Sequence, residues 1–213
     1  VVDECALTFE TGRDKRLLVL PAWFDEANKL RRTTVEVMHR LDLSGIDSFL
    51  PDLPGCNESL QPLETQTLAS WRTAAKVAAD HFQATHILAV RAGALLDPGT
   101  LPGWRYAPSG GRQVLRAMIR ARTIAAKEAG REETTASLQE RGRAEGIELA
   151  GWNLGSALFA DIEQAAPPND TPLADITQAD IGGGALWLRA EPDEDPEQAD
   201  ALAAIVAIGM NAQ

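Results

Sequence analysis

The chain has 213 residues, 45% hydrophobic and 24% charged, with 20 Lys and Arg against 31 Asp and Glu and a net charge of -11. That length suits one well-packed domain over 1–213, and the acidity, much of it in EPDEDPEQAD (191–200), excludes a general attraction to nucleic acid or an anionic membrane. Two cysteines cannot make a disulfide framework, no Cys/His group has zinc spacing, and no apolar run or leader points to a membrane, so we expect a cytoplasmic protein without metal or cofactor.

CALTFE and RLLVLPA read as two early strands separated by the turn-forming TGRDK. A helix is expected over 26–43, where Leu30, Val37, Met38 and Leu41 share one face. IDSFLPD is a third strand running into the loop LPGCNES, and a helix over 64–82 carries Leu68, Trp71, Ala75 and Ala78 on one side. HILAVRA follows as a fully buried strand. Beyond it come a turn-rich loop, the short strand WRYAP and a helix from about 110 to 129. The charged stretch 131–146 is expected as a surface linker or exposed helix, and IELAGWNLGSALFADIEQA as a short extended piece and a helix. APPNDTP breaks the chain, GGGALWLRA is expected as a last buried strand, and 196–210 as a closing helix.

Strands alternating with helices imply an α/β fold, a mostly parallel sheet covered on both faces, with ligands gathering beyond the carboxyl ends of the strands. PAWFDE, DLPGCNES and RAGA all fall at such ends. At the last of them a strand enters a tight small-residue turn, the form of the Gly-x-Ser-x-Gly nucleophile elbow. The five positions here are Ala89, Val90, Arg91, Ala92 and Gly93, so an arginine stands in the serine's place.

Several segments then match one family in order. PAWFDEANKLRR resembles the PPF-EEMNKSRR signature of the exosortase A system-associated hydrolases of the second type, and DLPGCNES resembles their DLYGCGDS. AVRAGALL is similar to GLRLGALLA, WRYAPSGGRQVLRAMIRARTIAAK to WQPVVSGKQ-L-QFLRLRLAAE, and IELAGWNLGSALFADIEQA to VEVAGY-LSPALAAALEAA. The resemblance implies an α/β-hydrolase-like fold with a shortened C-terminal half, in a bacterial protein tied to exopolysaccharide and PEP-CTERM protein-sorting loci. Three departures stand out: a shorter stretch between the elbow and WRYAP, which implies a clipped helix there; Asn57 in place of a glycine; and a thin match beyond residue 185.

Ester hydrolysis on such a fold needs a nucleophile, then an acid, then a histidine in chain order. Arginine stays protonated and cannot attack a carbonyl. His39, His81 and His86 all precede Arg91, so the late histidine is missing and the leading expectation is a binding or accessory protein without Ser-His-Asp hydrolysis. The alternative is an esterase or thioesterase built around Cys56 or Ser59, and a third reading is an interaction module.

A cation at an elbow faces the positive end of a helix and needs an anionic partner. Asp52 is the first choice, with Asp25 or Glu26 next. Arg91 either binds an anionic ligand group or forms an internal ion pair, and the internal pair is preferred. Trp23 and Phe24 are candidates to line a pocket or simply pack. Asn28, Lys29, Arg31 and Arg32 could hold a phosphate or acidic sugar, or pair with Asp25 and Glu26. Arg112, Arg116 and Arg120, with Lys127, form a basic helix stripe that could dock an acidic partner, the chain's own 191–200 segment or a second copy, or simply face solvent.

Overall fold

The computed structural model describes residues 3–212. Ala6–Phe9 (β1), Arg16–Leu20 (β2), Asp47–Pro51 (β3), His86–Val90 (β4), Gly103–Tyr106 (β5) and Leu173–Ile176 (β8) form one sheet in the order β1-β3-β2-β4-β5-β8. All neighbours run parallel except β1, which is antiparallel to β3. Ile147–Leu149 (β6) and Trp152–Leu154 (β7) make a separate two-stranded hairpin. The helices are Phe24–Leu43 (α1), Leu68–His81 (α2), Gly111–Glu128 (α3), Thr135–Glu145 (α4), Ser156–Gln164 (α5), Gln178–Ile181 (α6) and Pro196–Asn211 (α7).

The absence of polar alternation in β2 and β4 follows from helices on both sides. Leu17 and Val19 face a core with Val37, Met38 and Leu41 of α1 and Leu202 and Val206 of α7. Leu18, Leu20 and Phe49 face the other core, with Trp71 and Ala75 of α2, Met118 of α3 and Phe159 of α5. A strand buried on two faces has no solvent side for polar residues to mark. Local chemistry sets several helix starts. Thr67 and Ser70 form a reciprocal capping box on α2, and Thr134 and Ser137 do the same for α4. Asp195 caps α7, with Pro196 at its first position.

One expectation is corrected. GGGALWLRA is not a strand; Leu186–Leu188 is a 3₁₀ turn, preceded by Gly182 and Gly183 at positive φ. The sixth strand is β8, only four residues long, at the sheet edge and with an exposed centre, so its two buried ends make a poor apolar run. The stretch read as a surface linker or exposed helix takes the second form: it contains α4, which turns Leu138 inward and leaves its charges in solvent.

The amino end of the sheet is locked by Asp47, whose residue surface is 0% exposed. Its carboxylate accepts the backbone N–H groups of Thr11 (3.1 Å), Gly12 (2.9 Å) and Arg13 (2.8 Å) and the guanidinium groups of Arg13 (3.1 Å) and Arg16 (3.2 Å). Burial pushes this acid up, but the backbone donors and the Arg13 charge outweigh it and hold the carboxyl below its ordinary value. The β1–β2 turn is thereby fixed to the start of β3, at the end opposite the elbow. No helix among the described residues is long and apolar enough to cross a membrane.

Candidate functional site

The carboxyl ends of β2, β3, β4 and β5 meet where the sequence places its motifs. β4 ends at Val90, and Arg91 takes φ 54° before a six-residue 3₁₀ segment, Arg91–Leu96. A non-glycine residue in the left-handed region between strand and helical turn is elbow geometry, and it carries backbone strain. The small neighbours are required by close approach. A Cβ on Gly93 would lie 2.4 Å from the Leu20 carbonyl oxygen and 2.7 Å from that of Pro21. Ala89, fully buried, sits beside Leu20 in the β2–β4 register. The expected clipped helix is this single short segment.

Arg91 is buried, and three of its five N–H groups are hydrogen-bonded. Its Nε and Nη2 donate to the two carboxylate oxygens of Glu26, each at 3.0 Å, and Nη1 donates to the Ala107 carbonyl at 2.6 Å. The guanidinium lies over the Trp187 ring, 4.1 Å from its centroid. The anionic partner is therefore Glu26 and not Asp52. Strand order gives the reason: β2 lies between β3 and β4, so the end of β3 is two strands, roughly 10 Å, from the elbow. The first turn of α1 crosses that gap. Asp52 accepts from Asn57 Nδ2 at 2.7 Å and pairs with Arg31 at 3.5 Å.

The polar group at the start of α1 does not converge on an anion site. Lys29 pairs with exposed Asp25 at 2.7 Å, Arg31 with Asp52, and Arg32 with Glu194, while Asn28 is exposed. Each cation points to a different carboxylate. Trp23 and Phe24 pack into an aromatic cluster instead of lining an open pocket. The Trp23 and Trp71 rings lie 5.0 Å apart and the Phe24 and Trp152 rings 5.4 Å apart, both edge to face. The cavity left among these residues is about 10 Å³, which at most admits one water.

Neither substitute nucleophile has an activating partner among the described residues. Burial, then the charges of Asp52 and Glu4, push the Cys56 thiol up to about 12. At neutral pH the sulfur is protonated and a poor nucleophile. The Ser59 hydroxyl accepts the N–H groups of Gly55 (2.8 Å) and Gln61 (3.2 Å) and so holds the loop together. His86 opens β4 at the amino end, stacked 6.0 Å from Trp104. His81 ends α2 against Phe82, and His39 lies on α1 beside Phe9.

Residues not singled out from the sequence complete the Arg91 site. Trp187 meets Tyr106 edge to face at 5.8 Å, and the Tyr106 hydroxyl donates to Gln178 Oε1 at 2.6 Å. Burial raises the Tyr106 hydroxyl well above its ordinary range, eased by Arg91 and reinforced by Asp195. The aromatic at 187 was legible only as part of an apolar run. Its role depends on a loop that returns over α1 from the far end of the chain. The basic stripe of Arg112, Arg116 and Arg120 lines a separate groove between α3, α4 and α5.

Compared by sequence, the chain matches no protein-family model and no curated protein. By structure it is similar to Est1E from Butyrivibrio proteoclasticus, solved with ferulic acid bound, at 13% identity and TM-score 0.61, covering 99% of this chain and 95% of that one. It is also similar to mouse alpha/beta hydrolase domain-containing protein 10, at 12% identity and TM-score 0.53, over 97% and 93% of the two chains. A hydrolase from Pseudomonas aeruginosa aligns at 15% identity and TM-score 0.52, over 96% and 93%. At this level of identity the likeness establishes the fold: the chain has the α/β-hydrolase fold, with a mostly parallel sheet between two helical layers.

Proposed function

We propose that this chain is an α/β-hydrolase-fold protein without Ser-His-Asp hydrolysis, acting as a binding or accessory protein. The ordered motif resemblance further suggests a place beside the exosortase A system-associated hydrolases, in exopolysaccharide or protein-sorting loci. One observation carries the reading. The side chain at the elbow is a buried cation held by a bidentate pair to Glu26, by the Ala107 carbonyl and against the Trp187 ring. A guanidinium stays protonated and cannot attack a carbonyl, and this one already has its counter-ion in Glu26. The aromatic packing beside it and the protonated Cys56 thiol agree with that reading, because acyl transfer needs room for an acyl group and a charged or base-activated nucleophile.

The test is turnover of a p-nitrophenyl ester and a simple thioester, with labelling by a fluorophosphonate probe, on the wild type and on Arg91→Ser. Neither protein should exceed buffer rates, since the serine would still lack an imidazole. Turnover by the wild type that disappears in Cys56→Ala or Ser59→Ala would overturn the proposal and establish the esterase alternative.

A further inference from the structure

Basic side chains in this acidic chain nearly all find partners. Among the described residues, four make no side-chain hydrogen bond or ion pair: Arg116, Arg120, Lys127 and Arg131. All four lie on α3 or in the turn that follows it. With 31 acidic residues available, a cluster of unneutralised cations on one helix is not expected from composition. Arg112, Arg116 and Arg120 stand at four-residue spacing, so their like charges share a face and oppose helix formation. Two of the four, Arg116 and Arg120, also face a cavity.

That cavity, about 610 Å³, lies between α3, α4 and α5. Its floor is apolar, from the buried side chains of Leu115 and Ile119. Its rim carries Arg112, Arg116 and Arg120 from α3 and Arg143 from α4. The carboxylate that lines it, Glu163 of α5, is engaged by Arg143 through two hydrogen bonds of 2.7 and 2.9 Å. Arg112 Nε donates to the Glu163 carbonyl at 3.1 Å, which orients that guanidinium along the rim. Glu163 thus neutralises one of four charges, and three remain in a row about 12 Å long by helical rise.

We propose that this groove binds a small organic oligophosphate, with at least two phosphate groups along the arginine row and an apolar or ring-shaped body on Leu115 and Ile119. The volume suits a small molecule. Guanidinium forks match phosphate oxygens in pairs. The apolar floor adds contact that a bare anion cannot use. A long polyanion is disfavoured, because its remaining charges would meet a protein of net charge -11. The inference goes beyond the reading of the elbow and stands whether or not that site hydrolyses anything.

Isothermal titration at physiological ionic strength, about 0.15 M, tests it, with adenosine triphosphate as the organic probe and inorganic tripolyphosphate as the probe without a body. The wild type should bind adenosine triphosphate at one-to-one stoichiometry and more tightly than tripolyphosphate. R116E/R120E should weaken that binding about 30-fold or more, the effect of lost and reversed charge-assisted contacts. K127E/R131E removes equal charge outside the groove and should change affinity less than about threefold, a screened long-range effect. Both double variants should fold and melt within about 4 °C of the wild type, since these side chains are exposed and each helix-surface pair is worth only a few tenths of a kcal/mol. No saturable binding, equal losses in the two double variants, or tripolyphosphate binding as tight as adenosine triphosphate would each overturn the proposal.

Discussion

The Arg91–Glu26 pair makes an asymmetric prediction about stability. The Arg91 side chain is 5% exposed and that of Glu26 17%, so removing either partner strands a charge, but in different surroundings. Glu26→Gln leaves a cation enclosed by Trp187 and the Ala107 carbonyl, with one neutral acceptor in place of two ionic contacts. Breaking a buried pair this way costs about 3–5 kcal/mol, and the partial exposure of Glu26 places this case near the lower end, about 3 kcal/mol. Arg91→Met removes the cation itself and lets the Glu26 carboxylate turn to water. Its costs are an unpaired Ala107 carbonyl and lost stacking, together about 1–2 kcal/mol. In a chain of this size, each kcal/mol moves the melting temperature by about 2–4 °C. Glu26→Gln should therefore melt about 6–12 °C below the wild type and Arg91→Met about 2–8 °C below it. Differential scanning calorimetry of both variants, with the double variant to close the cycle, measures the coupling. Equal small losses, or strictly additive ones, would show that the pair carries no buried-charge energy and would remove the physical basis of the elbow argument.

Other perturbations have definite outcomes. Asp47→Asn should cost about 3 kcal/mol, because two arginines and three backbone donors lose an anionic acceptor. Because the folded-state pKa of Asp47 is depressed, its contribution is complete above the unfolded value of about 3.9 and is lost as pH falls through the lower folded value. Urea melts of the variant should accordingly show a shallower acid limb, and an unchanged limb would refute the role given to the Asp47 carboxylate. Cys56 should react with iodoacetamide at pH 8 much more slowly than exposed Cys5, a contrast readable by peptide mass mapping; equal rates would mean the thiol is neither buried nor raised. Gly93→Ala should destabilise by about 2 kcal/mol or more, as an overpacked site does, because its new Cβ meets two backbone oxygens and no flexible side chain. A melting temperature equal to the wild type's would show that β2 and the elbow are not in close contact.

The sequence by itself determined most of the architecture. Apolar runs at 17–20 and 86–90 and helical spacing in between are local signals of burial that the structure confirms, and Gly/Pro punctuation marks the breaks between them. It also determined the elbow, since small residues around position 91 and the order of the histidines need no third dimension. β8 escaped because a four-residue edge strand has too few buried positions to make a pattern, while the more apolar 185–188 stretch drew the assignment to itself. Only the tertiary structure decided which carboxylate meets Arg91. Asp52 and Glu26 are equally acidic on paper, but strand order puts one two strands away and the first turn of α1 puts the other within bidentate reach. Trp187 and the Ala107 carbonyl likewise come to the site from segments whose sequence carries no sign of it, because pair partners are set by topology and not by residue type.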